Sequence, residues 1–539
     1  MTSSAYDAIT LQQLIESNNN ALGQQLSKMV HSAKNPEAIA NTAFNKLRLD
    51  SRHVADNDAF ILLKSQTQQG QDPQKIHDYL LQAGKRAALI FSEINPVALF
   101  DNTDILPCPV LYVPDIRHFL GSLIQARLQY QQLITLPTVV AVTGTNGKTT
   151  ISQLVAQLAQ LAGHDSAVMG TAGNGKLDAL LQARHTTGDA LAVQQFLYHM
   201  GEQNVDLLAL EASSHGLDQK RLQGVPIKVA IYTNLSRDHL DYHADMAEYV
   251  AAKAKLFDKA HFPTLTHAII NIDDEHANVM LDTAKASNLT VWTYSLQADN
   301  EAKGANFVAT KIEPSLQGVK ITLRSVLGDS QGNDVNNINI ISPLLGHFNV
   351  ANLLAAIAAA VALGISLEHI ASLVPQLKGA VGRMQRVPST DGCFIVDYAH
   401  TPDALTQVLD SLRTHCQGQL WAVFGCGGDR DAGKRPLMAQ AGLSGADQVI
   451  LTADNPRTED PNIILQNMQA GMSEEQYQRT HIEPARQRAI EYAVSHASAN
   501  DIVVIAGKGH ETYQEINGVR HDFDDSVILQ QALQQAGRI

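Results

Sequence analysis

Four apolar runs of strand length, Val139–Val142, Leu207–Leu210, Val229–Tyr232 and Ala268–Ile272, recur between helical stretches from Pro137 onward. Runs this short and this continuously apolar fit strands covered on both faces, the condition of a parallel sheet between two layers of helices. That commits the middle of the chain to an α/β fold. Between Asn306 and Ile341 the rhythm changes to alternation, as in Val319, Ile321 and Leu323, with glycine and Asp329-Ser330 turn signals. An antiparallel insert is expected there. Strand-length runs return at Phe394–Val396, Leu420–Phe424, Gln448–Thr452 and Ile502–Ile505, separated by helical stretches such as Arg486–His496. Before Leu136 the pattern is irregular: runs such as Ala88–Phe91 and Val110–Val113 stand among Gln- and Asn-rich stretches. A small α/β domain with a polar helical lead-in is expected. The 539 residues therefore divide into three domains, 1–136, 137–378 and 379–539.

The formal net charge of -14 argues against nucleic acid as the main partner, because duplex binding relies on basic side chains neutralising phosphates. An anionic ligand would need a local basic pocket. Cys108, Cys393, Cys416 and Cys426 form no C-x-x-C pair, so neither a disulfide framework nor a structural zinc site is expected, and a reducing cytoplasm fits. Met1–Thr10 shows no export signal. The greasy stretch Val350–Leu367 is Ala-rich and contains Asn352 and Gly364, which makes it a buried helix and not a membrane span. A monomer without membrane insertion is the expectation.

After Val139–Val142 comes Gly144-Thr145-Asn146-Gly147-Lys148-Thr149-Thr150, leading into the periodic stretch Ile151–Ala162. A glycine-rich turn from strand to helix points backbone N–H groups and the positive helix end at phosphate oxygens. Lys148 would reach the β- and γ-phosphates of ATP and Thr149 would ligate Mg²⁺. The spacing departs from the common phosphate loop, since Val142 stands where the first glycine belongs. Magnesium prefers oxygen ligands. Glu211, directly after Leu207–Leu210, is a candidate second ligand, and His239, following Val229–Tyr232, a third. In the last third each strand is followed by a polar or glycine-rich cluster: Asp397–His400, Gly425–Arg430, Asp454–Arg457 and Gly507–Glu511. Open α/β sheets bind ligands beyond the carboxyl ends of their strands, so these four clusters predict one binding edge.

The Gly144–Thr150 loop, Glu211–Leu217, Thr233–His239, Gly382-Arg383-Met384, Asp397–His400, Phe424–Asp431 and Gly507–Glu511 together resemble the Mur ligases, in order, from Leu49 to about Asp525. The resemblance implies an N-terminal UDP-binding domain, a central phosphate-loop ATPase-like domain and a Rossmann-like C-terminal domain. It also implies a reaction in which ATP phosphorylates a substrate carboxylate and an amine attacks the acyl phosphate. By that resemblance Leu49 and Ser51 contact the uridine. His185, Thr186, Thr187, Ser213, Gln219 and Arg221 contact the muramoyl-peptide substrate, UDP-N-acetylmuramoyl-L-alanyl-D-glutamate. The family usually carries asparagine where His185 stands. Asn352, Arg383 and Asp397 join the loop in binding ATP; the lesser alternative for Asn352 and Asp397 is that they cap helices. The family register also selects Lys253, which in such enzymes is carbamylated. CO₂ adds only to a neutral amine, so burial must lower the lysine's proton affinity. Without that register Lys253 and Lys255 read as helix-surface lysines.

Asp454-Asn455-Pro456-Arg457 resembles the signature of the branch that adds meso-diaminopimelate. Lysine-adding relatives typically lack the arginine. A guanidinium offers a planar fork to the extra carboxylate, and Arg430 could add a second grip. Gly507 and Glu511 resemble contacts to the remaining amine and carboxylate. The competing readings are a lysine-adding enzyme, a folylpolyglutamate synthetase, and a non-catalytic scaffold relative. Arg457 opposes the first two. The intact set Lys148, Thr149, Glu211, His239, Lys253 and Arg430 opposes the third.

Overall fold

The computed structural model describes residues 7–18, 20–65, 72–98, 106–132, 134–183, 185–236, 238–239, 242–301, 304–315, 317–326 and 336–539. Arg237, Leu240, Asp241 and the Asp329-Ser330 turn signal lie outside the described residues. Strands β1 (Ile9–Thr10) and β2 (Ala43–Phe44) pair antiparallel. β3 (Leu47–Arg48), β4 (Asp58–Leu62), β5 (Ala87–Ser92) and β6 (Val110–Tyr112) form a parallel sheet in sequence order. The lead-in, expected to be polar, is amphipathic. Its helices Leu11–Glu16 and Ala21–His31 bury Leu11, Leu14, Leu22, Leu26 and Val30 in one cluster with Phe44, Leu89 and Phe91. The i, i+4, i+8 spacing of Leu22, Leu26 and Val30 makes that stripe.

The middle of the chain folds as one ten-stranded sheet. Its strands are β7 (Thr138–Thr143), β8 (Ser166–Gly170), β9 (Gly173–Gly175), β10 (Leu207–Glu211) and β11 (Ile227–Tyr232). They are followed by β12 (His267–Asn271), β13 (Thr290–Ser295), β14 (Phe307–Ser315), β15 (Gly318–Ser325) and β16 (Asn336–Ser342). The order is β16-β15-β14-β13-β12-β11-β7-β10-β8-β9. Strands β8, β10, β7, β11, β12, β13 and β14 run parallel. The segment expected to be an antiparallel insert is antiparallel, and β14-β15-β16 extends the parallel sheet at one edge through β13. Helices Lys148–Leu161 and His347–Ala362 cover one face, and Ala190–Glu202, Met246–Ala254 and Ala277–Ala286 cover the other. The buried helix expected to reach Leu367 stops at Ala362, because Gly364 turns left-handed at φ +95° and Ser366 caps a new helix, Leu367–Leu373.

The last sheet has the order β17-β18-β22-β19-β20-β21, from β17 (Gln385–Val387), β18 (Cys393–Asp397), β19 (Leu420–Phe424), β20 (Gln448–Leu451), β21 (Thr480–Ile482) and β22 (Ile502–Ala506). Only β17 runs against the rest. A hairpin, β23 (Tyr513–Ile516) and β24 (Val519–Asp522), follows. Buried His415 ties this unit to the central one: its Nδ1 donates to Ser315 O (2.8 Å) and its Nε2 accepts from Gly346 N (3.0 Å). At the other end, Gln223 bonds Ser122 through both amide atoms and so fastens the first unit. Among the described residues no helix is long and apolar enough to cross a membrane.

Candidate active site

The chain leaves β7 toward β8 on one side and later returns to β11 on the other, so the sheet has a switch point at β7. Ligands bind in the crevice such a reversal opens beyond the strand ends. The loops after β7, β10 and β11 meet there. Gly144 stands at φ +150°, and a Cβ at that position would collide with the Thr233 hydroxyl. That hydroxyl donates to Asn146 O (2.6 Å), Asn146 N donates to Asn234 Oδ1 (3.0 Å), and Thr145 N to Asn234 O (2.8 Å). The segment after β11 therefore braces the loop after β7.

Lys148 begins the helix Lys148–Leu161 and folds its Nζ back onto Gly144 O (2.9 Å) and Thr145 O (2.8 Å). Lys253 Nζ, from the helix Met246–Ala254, donates to the same Gly144 oxygen at 2.8 Å and lies 4.5 Å from the Tyr249 ring centre. Two lysines 105 positions apart in sequence thus share one carbonyl. Lys253 is 1% exposed. Burial, and then the Lys148 charge, hold it well below the usual lysine value. Burial also lowers Lys148; Glu211 opposes that shift and Arg383 adds to it.

Glu211 ends β10 and is almost wholly buried. Its Oε1 accepts from the Thr149 hydroxyl (2.8 Å) and Thr171 N (2.8 Å), and its Oε2 from the Thr171 hydroxyl (3.1 Å). These donors surround the carboxylate, beside a hydroxyl whose lone pairs can turn to a cation. His239 stands at φ +55°, with its ring 5.0 Å from that of His215 and its Nε2 3.6 Å from Asp238. Among the described residues no group of three His, Cys, Asp or Glu side chains could hold a metal by itself. A cation here would depend on phosphate oxygens and water to complete its shell.

Lys148, His185, Thr186, Thr187, Ser213, Arg221, His239 and Lys253 line one cavity of about 240 Å³, together with Ser214 and His215. Those last two had not been singled out as site residues. The signal was present, since both lie in the motif that begins at Glu211. Thr187 donates to Glu211 O (2.7 Å) and accepts from Ser213 N (3.0 Å). Arg221 grips Gln219 Oε1 through Nε (2.9 Å) and Nη2 (2.7 Å) and donates to Thr187 O (2.8 Å). Asn352 is in mid-helix and caps nothing; it donates to Asn349 Oδ1 (3.1 Å), and its Oδ1 faces Gly147. Asp397 accepts from Met384 N and Ala399 N, both at 2.7 Å, so it fixes a turn and not a helix end. Burial raises its carboxyl. Leu49 and Ser51 do not line the cavity; Ser51 donates to Gln82 Oε1 (3.2 Å) in the first unit, and Leu49 packs on its core.

A second group gathers at the parallel ends of β20, β22 and β19. Asn455 Nδ2 donates to Glu511 Oε2 (2.9 Å). Arg457, at φ +53°, donates from Nη1 to Gly428 O (2.7 Å). A Cβ placed on Gly427 would touch the Arg457 guanidinium and approach the Arg430 side chain, so both arginines flank that glycine. Lys508, bonded to Asn455 and Glu511 and fully buried, belongs to the same group and had not been singled out as a site residue.

A profile of the Mur ligase middle domain matches residues 142–360, and one of the Mur ligase glutamate ligase domain matches residues 382–509. The UDP-N-acetylmuramoyl-L-alanyl-D-glutamate--2,6-diaminopimelate ligase of Haemophilus influenzae is 40% identical over 499 residues, 92% of this chain and 97% of that one. The enzyme of the same name from Pseudomonas aeruginosa is 41% identical over 503 residues, 92% and 96% of the two chains. A solved structure of a ligase of that name superposes with TM-score 0.72 at 42% identity, covering 99% of this chain and 100% of the other. A MurF of Acinetobacter baumannii shares the fold alone, with TM-score 0.57 at 19% identity over 98% of this chain and 100% of its own.

Proposed function

The chain belongs to the Mur ligase family, and from that premise we propose that it uses ATP to join meso-diaminopimelate to UDP-N-acetylmuramoyl-L-alanyl-D-glutamate. The D-glutamate carboxylate is a poor acylating agent, so phosphorylation by ATP gives it a leaving group. One amine of diaminopimelate then attacks the acyl phosphate through a tetrahedral intermediate, an amide forms, and phosphate leaves. Positioning and charge stabilisation supply most of the catalysis. The observation that carries this is the single cavity in which Lys148 faces Thr187, Ser213 and Arg221.

The loop N–H groups of Gly144–Thr150 and Lys148 would cradle the phosphates, with Asn352, Arg383 and Asp397 also contacting ATP. Thr187, Ser213 and Arg221, with His185, Thr186 and Gln219, would orient the peptide substrate, while Leu49 and Ser51 hold its uridine. Thr149, Glu211 and His239 would hold Mg²⁺, which when bound neutralises phosphate charge. Lys253 fits a carbamate, because burial favours the neutral amine that CO₂ requires. Arg457 and Arg430 would take the distal carboxylate of diaminopimelate, and Asp454, Asn455, Pro456, Gly507 and Glu511 would surround its distal amine. The domains of this scheme are 1–136, 137–378 and 379–539, acting as a monomer in the cytoplasm. Free thiols at Cys108, Cys393, Cys416 and Cys426 agree with that compartment.

The test is phosphate release with ATP, the UDP-linked dipeptide and one amino acid at a time. Release should require meso-diaminopimelate. Faster release with lysine would overturn the specificity, and none with any amino acid would overturn the ligase assignment.

A further inference from the structure

We propose that Lys508 is a positioning residue for the amino-acid substrate: it orients the Asn455 amide and the Glu511 carboxylate so that one carboxylate oxygen is presented to the substrate's distal amine. This rests on the diaminopimelate reading above. A lysine normally carries its ammonium out to water along its apolar stem. Lys508 does the reverse, being 0% exposed. Its Nζ lies 3.2 Å from Glu511 Oε2, 3.3 Å from Asn455 Oδ1 and 4.0 Å from Asp454 Oδ1, with the Tyr513 ring centre at 5.5 Å. Every polar partner belongs to the two strand-end clusters that follow β20 and β22.

The geometry leaves one orientation for the amide. Asn455 Oδ1 accepts from Lys508 and from Glu515 N (2.9 Å), so Nδ2 must face the carboxylate, and it does. Turning the amide over would set its NH₂ against an ammonium and a backbone N–H. Glu511 Oε2 is consequently held twice, by Lys508 and by Asn455. Its Oε1 carries no hydrogen bond among the described residues, and the side chain keeps 23% exposure. One oxygen is therefore anchored and the other left without a hydrogen bond on a side chain that is still partly exposed. A neutral residue in place of Lys508 would take away one of the two groups that hold Glu511 Oε2. The other charged and titratable groups interacting with Glu511 are Arg486, Tyr398 and His510. Arg520 stacks on Tyr513 at 4.2 Å from its ring centre.

Lys508→Met keeps the volume and removes the charge; Lys508→Arg keeps the charge. The measurement is kcat and KM for all three substrates, with Glu511→Gln alone and combined with each Lys508 variant. In Lys508→Met the KM for diaminopimelate should rise about tenfold or more, the loss expected for one charge-assisted contact. Its kcat and the other two KM values should move less than about threefold, a split that general structural damage would not give. Adding Lys508→Met to Glu511→Gln should cost little more. An unchanged KM for diaminopimelate in Lys508→Met, equal rises in all three KM values, or full additivity of the two substitutions overturns the proposal. If Lys508→Met does not fold, Lys508→Arg and Glu511→Gln decide: additive losses overturn it. A wild-type enzyme that prefers another amino acid sinks the diaminopimelate reading alone, and the Lys508 profile is then taken with the preferred one.

Discussion

Removing Arg486 should destabilise the C-terminal unit more than removing Arg486 and Asp525 together. Both side chains of this pair are 0% exposed. Arg486 donates Nε to Asp525 Oδ1 (2.8 Å) and Nη2 to Oδ2 (2.7 Å), and Nη2 also donates to Ala506 O (2.9 Å). Arg486→Met strips a buried carboxylate of the cation that, among the described residues, contacts it directly, a change that typically costs about 3–5 kcal/mol. Replacing both charges, as in Arg486→Met/Asp525→Leu, removes the unpaired ion and leaves mainly the Ala506 carbonyl without its donor, at about 1–3 kcal/mol. The assay is urea unfolding followed by Trp421, in β19, after Trp292→Phe has removed the other tryptophan. With a slope of about 2 kcal/mol per molar, the single variant should unfold about 1.5–2.5 M earlier than its parent. The double variant should recover at least half of that. A single variant within about 0.5 M of the parent, or a double variant as weak as the single, would refute the claim that an uncompensated buried charge dominates. Because Ala453 and Ala506 immediately precede Asp454 and Gly507, the single variant should also raise the KM for diaminopimelate.

Lys148→Ala should lower ATP-dependent ligation by at least about 10²–10³-fold while circular dichroism stays unchanged, as expected for loss of a preorganised charge on the transferring phosphate; near-normal phosphate release would remove Lys148 from the chemistry. Arg457→Ala should lose about 10–100-fold in kcat/KM for meso-diaminopimelate with the KM for ATP unaltered, and Arg457→Lys should not restore it, since a point charge lacks the fork. Lys253→Ala should be nearly inactive, and retained activity would exclude a role for its carbamate. Lys253 also has a signature in stability: burial and the Lys148 charge lower its proton affinity in the folded state, so the unfolded chain binds more protons between that lowered value and the ordinary 10.5. The penalty is full below the folded value and shrinks as pH rises through the interval, so Lys253→Met should gain most over wild type in thermal melts at low pH.

What the sequence made legible is what backbone chemistry dictates locally. The loop Gly144–Thr150 announces itself because a strand, a glycine-rich turn and a helix N-terminus must follow one another directly. The clusters after β18, β19, β20 and β22 were legible because parallel strands bring their carboxyl ends to one edge, although their spatial order, β18-β22-β19-β20, is not the chain order. What stayed hidden depends on partners distant in sequence. Nothing in Phe307–Ser315 says that it pairs with Thr290–Ser295 and so prolongs the main sheet. The lead-in was misjudged from its polar composition, when the spacing of Leu22, Leu26 and Val30 already described a buried stripe. Lys253 had a visible clue too: it lies four positions after Tyr249 on the inward face of its helix, whereas Lys255 turns elsewhere and pairs with Asp218 at 2.6 Å.

Three lysines show how the fold assigns chemistry that the residue type leaves open. Lys148 and Lys253 donate to one backbone carbonyl, and the Lys148 charge bears on Lys253. For Lys253, burial and the like charge of Lys148 outweigh Asp238 and favour its neutral form, the one state that can take up CO₂. Lys148 is offset by Glu211, and the arrival of nucleotide phosphates would strengthen that offset and favour its charged form. Lys508 is as deeply buried as Lys253 but meets a carboxylate at 3.2 Å and a second at 4.0 Å. Burial alone therefore does not make a lysine reactive. The deciding quantity is the sign of the nearest charge, and that sign is set by which strand ends the topology brings together.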